Sequence, residues 1–310
     1  MDWAMGIVGQ ERAIALLDAA WRRRRLAAAY LFVGAAGVGR RTTARAWVRL
    51  LLGLGLGDDL VGHPDLLWVE PTYLERGQLL TVAAAEAAGL KRRGAPQIRL
   101  EQVRQVAEFA SRSPLQSQQV VVVVEQAETM AEAAANGLLK TLEESPQAVF
   151  ILMAADGGAV LPTIVSRCQR VRFQRLSAEA IASLWAQMGR GTLGTELTEI
   201  AQGSMGATIL AHGHMEQISE SICQAIDSIP LDTTTALTLA KKVAADLDLE
   251  LQQWLIQFWM QRIWRSPLPL SLRVAGVKDL ERAYFCLEHY VQPRLVWEAM
   301  LLHLGQPAAP

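Results

Sequence analysis

Cysteine is scarce in this 310-residue chain: Cys168, Cys223 and Cys286 stand alone and far apart. Their spacing excludes a disulfide framework and a CxxC metal pair, and it fits a reducing, intracellular setting. Excess charge is lacking as well. Thirty basic against thirty-one acidic side chains leave a formal charge of −1, which excludes a surface coated in basic groups and confines nucleic-acid contact to a local patch or to partners. Long apolar runs are missing: residues 50–56 and Val120–Val124 are far too short to span a bilayer, and Asp2 stands where a leader would carry basic residues before an apolar core. A cytoplasmic protein without membrane contact is expected. No repeat at a solenoid period occurs, and the one low-complexity piece is the tail 306–310, expected to fray.

What is there is an ordinary globular composition, 51% hydrophobic and 20% charged, long enough for two or three domains with buried cores. The organising stretch is residues 31–43, an apolar strand running into a glycine-rich turn and a helix. A phosphate-binding loop needs glycines so that backbone N–H groups can cradle phosphates, a Lys for the β and γ oxygens, and a hydroxyl for Mg²⁺. Gly34, Gly37 and Gly39 meet the first need, but the Lys position reads Arg40 and the hydroxyl position Arg41, followed by Thr42 and Thr43. A planar guanidinium fork does not replace a compact ammonium in a tight loop, and Arg41 offers no metal ligand. The helix expected over 42–52 still turns its positive end toward an anion, so weak or structural ATP or ADP binding stays open.

Along the rest of the chain, Ile14, Leu16, Leu17 and Trp21 predict an amphipathic helix over 11–25. It ends in an arginine run, 22–25, readable as a solvated helix end or as a partner contact. His63 in His63-Pro64-Asp65 has no His or Cys at ligand spacing, which makes it a turn residue rather than a metal ligand. A strand is expected over 67–69, a surface excursion with a short helix over 75–97, and a helix over 98–110. Val120–Val124 has the signature of a strand buried on both faces of a parallel sheet. In a P-loop NTPase such a strand ends in Asp-Glu, which hold Mg²⁺ and activate water. Here it ends in Glu125-Gln126; the longer Glu would crowd a metal and Gln cannot accept a proton. A helix over 131–142, a turn over 143–146, a buried strand over 149–153 and a strand over 171–173 follow. From residue 176 the pattern is helical, with Ser177 a plausible N-cap and a helix over 180–188. The apolar Ile218, Ile222, Ile226, Leu251, Trp254, Leu255, Phe258, Trp259 and Ile263, continued by Tyr284, Phe285, Leu287, Tyr290, Leu295, Val296, Trp297, Met300 and Leu301, read as a bundle core. An exposed patch among them would mean an interface.

Four segments, Ile7-Val8-Gly9-Gln10, 34–43, 136–144 and 161–169, resemble in order and spacing the AAA+ subunits of DNA polymerase clamp loaders, nearest the delta-prime branch of bacterial DNA polymerase III. The resemblance implies an α/β P-loop (AAA+) domain with a parallel sheet over 1–175, a small helical lid over 176–213 and an all-α C-terminal collar over 214–310. The family's ATP-hydrolysing gamma/tau members carry four features that this chain replaces, with Arg40 and Arg41 in the loop, Glu125-Gln126 after the strand, Ala155 at the sensor position and Gly206 for the lid arginine. Ser166-Arg167-Cys168 survives intact; in the family this arginine reaches the γ-phosphate of a neighbouring subunit, a role worth about 10³–10⁵ in rate. The resemblance thus implies a non-hydrolysing subunit, part of the polymerase complex but without ATPase activity of its own. It would offer Arg167 in trans, with gamma/tau and delta subunits as partners and the sliding clamp and primer-template DNA met through the complex. Arg104, and less directly Arg99, are candidates for the DNA backbone, against a solvated helix face. No cofactor is required and no zinc is expected, because the zinc module of some relatives has no cysteines here. An ATP-hydrolysing subunit and a purely structural adaptor are the alternatives.

Overall fold

The computed structural model describes residues 2–90, 94–191, 193–228, 231–289 and 291–304; Tyr290, the tail 306–310 and part of the 75–97 excursion fall outside them. The chain forms two compact units, one of Met1–Leu193 with Gln202–Gly206 and one of Gly194–Ala201 with Ala207–Pro310.

The first unit contains α1 (Glu11–Arg22), β1 (Ala29–Val33), α2 (Arg40–Leu52), β2 (Leu66–Val69), β3 (Thr72–Glu75), β4 (Gln78–Thr81), α3 (Val82–Ala87), α4 (Leu100–Ala110), β5 (Val120–Val124), α5 (Glu132–Glu144), β6 (Ala148–Ala154), α6 (Pro162–Val165), β7 (Gln169–Arg172) and α7 (Ala178–Gln187). Five strands make one parallel sheet in the order β2-β5-β6-β1-β7. Every residue of β5 and β6 is buried, as expected of strands covered on both faces. Alternation along the strands divides the core. Leu31, Val122, Phe150 and Leu152 face a layer with Val103, Val106 and Leu138; Tyr30, Phe32, Val123 and Ile151 face Leu17, Trp47 and Val48. Trp47 centres the second layer, its ring 5.1 Å from Trp3, 6.3 Å from Tyr30 and 6.4 Å from Trp21.

The structure departs from expectation at element ends. Helix α1 stops at Arg22, and Arg24 takes a φ of 51°, so the rest of the arginine run leaves the helix through a turn. Helix α2 begins at Arg40, two residues early, α4 begins at Leu100, and α5 runs on through Glu143 and Glu144. Residues 72–81, whose part from 75 on was expected as a surface excursion, form the antiparallel hairpin β3–β4. Its two-residue turn, Arg76-Gly77, has φ of 48° and 81°, the positive pair that a tight hairpin turn demands. The expected Ser177 cap is present, its Oγ accepting from Ala180 N at 3.2 Å.

The second unit is all helical: α8 (Thr195–Ile200), α9 (Met205–Gln217, whose first residues belong to the first unit), α10 (Glu220–Asp227), α11 (Thr233–Asp246), α12 (Leu249–Arg265), α13 (Leu270–Glu288) and α14 (Pro293–Leu304). Helix α11 packs on α14 and α12 on α13, burying Ile222, Leu255, Trp259, Leu287 and Trp297. Trp297 Nε1 donates to buried Gln252 Oε1 at 2.9 Å, satisfying both polar groups inside the bundle. Phe285 and Leu295, expected in this core, are instead 59% and 54% exposed; Phe285 stacks on the His289 ring, 3.9 Å away. Among the described residues no helix is long and apolar enough to cross a membrane, and no group of three His, Cys, Asp or Glu could hold a metal.

Candidate functional site

The sheet has two ends, and sequence-derived candidates lie at both. Where β1 ends, the glycine-rich turn leads into α2. Gly37 has a φ of +73°, and a Cβ built there would lie 2.4 Å from Ser204 Oγ and 2.8 Å from Gly206 Cα. Only glycine admits both that backbone and that approach. The carbonyls of the turn are taken in sequence: Ala36 O accepts from Ser204 Oγ at 2.8 Å, Gly37 O from Gly206 N at 3.1 Å, and Val38 O from Gln10 Nε2 at 3.0 Å. Gln10 also accepts from Gln174 N at 3.0 Å and donates to Gln174 O at 2.8 Å, tying the turn to the strand end beside it. Gly39 caps α2 with a φ of 104°, leaving the helix's first N–H groups for an anion.

Arg40 and Arg41 leave this turn in different company. Arg40 is half-buried, and its Nη1 is buried without a hydrogen-bond partner among the described residues. Burial draws its pKa below the usual arginine range, while the charges of Glu128 and Glu125 oppose that. Arg41 donates through Nη2 to Glu70 Oε1 at 2.6 Å and pairs through Nε with Glu125 Oε1 at 3.0 Å. Its Cζ lies 5.8 Å from the Trp68 ring centroid, and Trp68 Nε1 donates to the same Glu125 oxygen at 2.6 Å. Burial raises the Glu125 pKa; the Trp68 bond and Arg41 pull it down. A guanidinium thus fills the place where a divalent cation would need a hydroxyl and free carboxylates, and the residues present do not fit Mg²⁺. Gln126 is exposed in a left-handed conformation with φ 48°, Thr42 is exposed, and Ala155 donates its N–H to Glu128 Oε1 at 3.0 Å.

Sequence reading missed Glu70 and Glu128. Glu70 had a signal: Val69 pairs with Val124 in parallel register, so the next residues, Glu70 and Glu125, emerge side by side.

Arg167 is elsewhere. Strand β7 pairs with β1 in parallel, Gln169 opposite Tyr30. Arg167 therefore precedes the start of β7, while the glycine turn follows the end of β1, roughly 10 Å or more along the strands. The Arg167 side chain is 40% exposed. Its Nε pairs with Glu143 Oε1 at 2.5 Å, and Nη1 donates to Thr163 O at 3.0 Å. Neighbouring Ser166 donates to the same carbonyl at 2.9 Å, and Cys168, its thiol pushed up to about 11 by burial, is no nucleophile. At this same end of the sheet Asp65 is buried at 1% exposure and accepts from the N–H groups of Leu115, Gln116 and Ser117 at 2.6, 2.7 and 2.8 Å and from Ser117 Oγ at 2.7 Å. Burial alone would raise its pKa, but these bonds lower it to about 2. Of the DNA candidates, Arg104 is exposed on α4, and Arg99 is half-buried, its Nε buried and without a partner among the described residues.

A family model described as DNA polymerase III, delta subunit matches residues 9–177, and one described as cyanobacterial DNA polymerase III delta prime, C-terminal domain matches residues 179–304. DNA polymerase III subunit tau of Bacillus subtilis is 25% identical over 299 residues, 96% of this chain and 48% of that protein. DNA polymerase III subunit delta' of Haemophilus influenzae is 31% identical over 174 residues, 56% of this chain and 44% of that protein. The chain spans about half the length of these curated relatives. A DNA polymerase III gamma subunit-related protein from Thermotoga maritima, 17% identical, shares the fold with a TM-score of 0.57 over 95% of this chain and 100% of the other.

Proposed function

The chain belongs to the DNA polymerase III delta subunit family of clamp-loader proteins, and from that premise we propose that it is a non-hydrolysing AAA+ subunit of the delta-prime type. It assembles in the cytoplasm with gamma/tau and delta subunits and lends Arg167 to an ATP site on its neighbour while a sliding clamp is loaded on primed DNA. Residues 1–175 act as the AAA+ domain, 176–213 as its lid and 214–310 as the collar for assembly, with Arg104 and Arg99 as contacts for the DNA backbone.

The observation that carries this reading is the separation of the two sheet ends. At the loop, Arg41 is paired with Glu70 and Glu125 where hydrolysis needs a metal, and Gln126 cannot act as base. At the other end, Arg167 is exposed and distant from its own loop, so a phosphate it serves belongs to another chain. The equatorial oxygens of a transferring phosphoryl group carry the charge that such an arginine stabilises.

Reconstitution with gamma/tau and delta subunits tests the proposal. Arg167→Ala is expected to leave assembly intact by gel filtration while DNA-stimulated ATPase falls, by about 10³–10⁵ at the neighbouring site. An unchanged rate supports the structural-adaptor reading. Turnover by the isolated chain with Mg²⁺, abolished by Arg40→Ala, would instead make it an ATPase. One observation favours a nucleotide held without hydrolysis: the buried Nη1 of Arg40, without a partner among the described residues, beside the α2 N-terminus. Titration of ADP with and without Mg²⁺ checks it, binding being expected not to need the metal.

A further inference from the structure

Glu143 and Arg167 come from different elements, α5 and the segment before β7, yet meet at 2.5 Å. A guanidinium has five N–H donors. Glu143 engages the Nε edge and the Thr163 carbonyl engages one side of Nη1, with Ser166 Oγ at 3.5 Å, while neither hydrogen of Nη2 has a partner among the described residues. The side chains of Arg167 and Glu143 are 40% and 55% exposed, and an ion pair that open to water contributes little to folding. What it does accomplish is orientation. An arginine reaching from the surface loses much rotamer freedom when it engages an anion. One that is already clamped through Nε and Nη1 has lost that freedom beforehand and presents its remaining donors, those of Nη2.

We propose that Glu143 is a positioning residue for Arg167, holding the guanidinium so that its Nη2 end meets the phosphoryl oxygens of a nucleotide bound to the adjacent subunit. This rests on the in-trans role given to Arg167 above. A carboxylate is not needed for the task, because the Nε–H requires only an acceptor oxygen; an amide at this position keeps the bond and removes a negative charge from the approach of a triphosphate.

The test uses the reconstituted complex with Glu143→Ala, Glu143→Gln, Arg167→Ala and a double variant that combines Glu143→Ala with Arg167→Ala. Glu143→Ala is expected to lower DNA-stimulated kcat about 10-fold at the affected site with KM for ATP unchanged, a misplacement effect. Glu143→Gln restores most of the rate, and the double variant is no slower than Arg167→Ala alone, because Glu143 acts only through Arg167. If Arg167→Ala is as fast as the wild type, the in-trans role and this inference fall together. If Arg167→Ala is slow but Glu143→Ala is not, or if the two losses multiply, only the positioning role is lost. Should Glu143→Ala weaken assembly, the free chain decides. Its Arg167 Nε–H signal in ¹⁵N-resolved spectra at neutral pH is expected to be protected in wild type and Glu143→Gln and absent in Glu143→Ala, and an unprotected wild-type signal overturns the proposal.

Discussion

The two ends of the strand layer treat polar groups in opposite ways. At the glycine turn, three successive carbonyls accept from Ser204, Gly206 and Gln10, and two carboxylates, Glu70 and Glu125, gather on Arg41, whose own side chain stays 55% exposed. At the start of β7, Arg167 has a single carboxylate partner, Glu143, itself 55% exposed, and the Thr163 carbonyl, with Nη2 left without a partner among the described residues. A polar group with all of its partners inside the molecule stabilises the fold and has nothing left for a ligand; one with donors to spare is available to something outside. If the first end does not hydrolyse nucleotide, as proposed, the cause is more than missing residues. Arg41 pairs with both Glu70 and Glu125, the carboxylates that a metal at this end would need free. Arg40, whose buried Nη1 has no partner among the described residues, keeps an anion possible there.

The comparison breaks first at Gly37. Alanine there must hold a φ of +73° with its Cβ 2.4 Å from Ser204 Oγ. Strain and overpacking together are expected to cost about 2–4 kcal/mol, read as a lower urea midpoint. Because the bonds to Ser204 and Gly206 must shift, the turn should also become more accessible to protease. Alanine at Gly39, where the φ is +104° but nothing lies within 4 Å of the built Cβ, serves as the control with strain alone.

Asp65 shows that full satisfaction, and not position along the strands, separates the two behaviours, since it stands at the Arg167 end and is closed inward. Asp65→Asn replaces an acceptor of four bonds with a group that can turn only one oxygen to them, at an expected cost of about 2–3 kcal/mol. The sign with pH is fixed by the lowered pKa. Wild-type Asp65 contributes its full stabilisation above the unfolded value near 3.8, and loses it as pH falls through about 2. The difference between wild type and variant in denaturant melts should therefore be constant near neutrality and shrink in that acid window.

Much of this first unit was legible in the sequence because its signals are local: the all-Val run of β5, the glycines of the turn and the Ser177 cap each announce themselves within a few residues. The hairpin β3–β4 escaped because its four-residue strands are partly solvated and lack a strong apolar alternation; only the two-residue Arg76-Gly77 turn betrays it. Asp65 drew notice through its neighbour His63, but its purpose lies some fifty residues away in 115–117 and no periodicity reports that. Glu70 became visible only through strand register, and the contact of Glu143 with Arg167 only through packing between elements. Phe285 and Leu295 carry a helical apolar pattern that cannot distinguish a core face from an exposed one.

A smaller effect is expected from Arg41→Met. Removing the guanidinium leaves Glu125, its pKa already raised by burial, beside Glu70 with only the charge of Arg40 to offset it. The expected loss is about 1–2 kcal/mol at pH 8. Because a raised carboxylate pKa means that ionisation opposes folding, the deficit should diminish as pH falls and Glu125 takes up a proton above the ordinary carboxylate range. A deficit independent of pH would mean that Arg41 acts by packing on Trp68 alone.

The smallest effect on the chain itself belongs to Arg167→Ala, and its smallness is the point of contrast. The pair with Glu143 is exposed on both sides, so truncation should change the unfolding free energy by no more than about 1 kcal/mol, against the larger losses at Gly37 and Asp65. The same substitution is expected to have the greatest consequence in the assembled complex. A side chain that folding hardly needs, yet whose removal slows a neighbour's chemistry, owes its place to what lies outside the chain. A drop of about 3 kcal/mol or more in the isolated protein, the scale of a broken buried pair, would put Arg167 among the internally satisfied groups and remove the distinction between the two ends of the sheet.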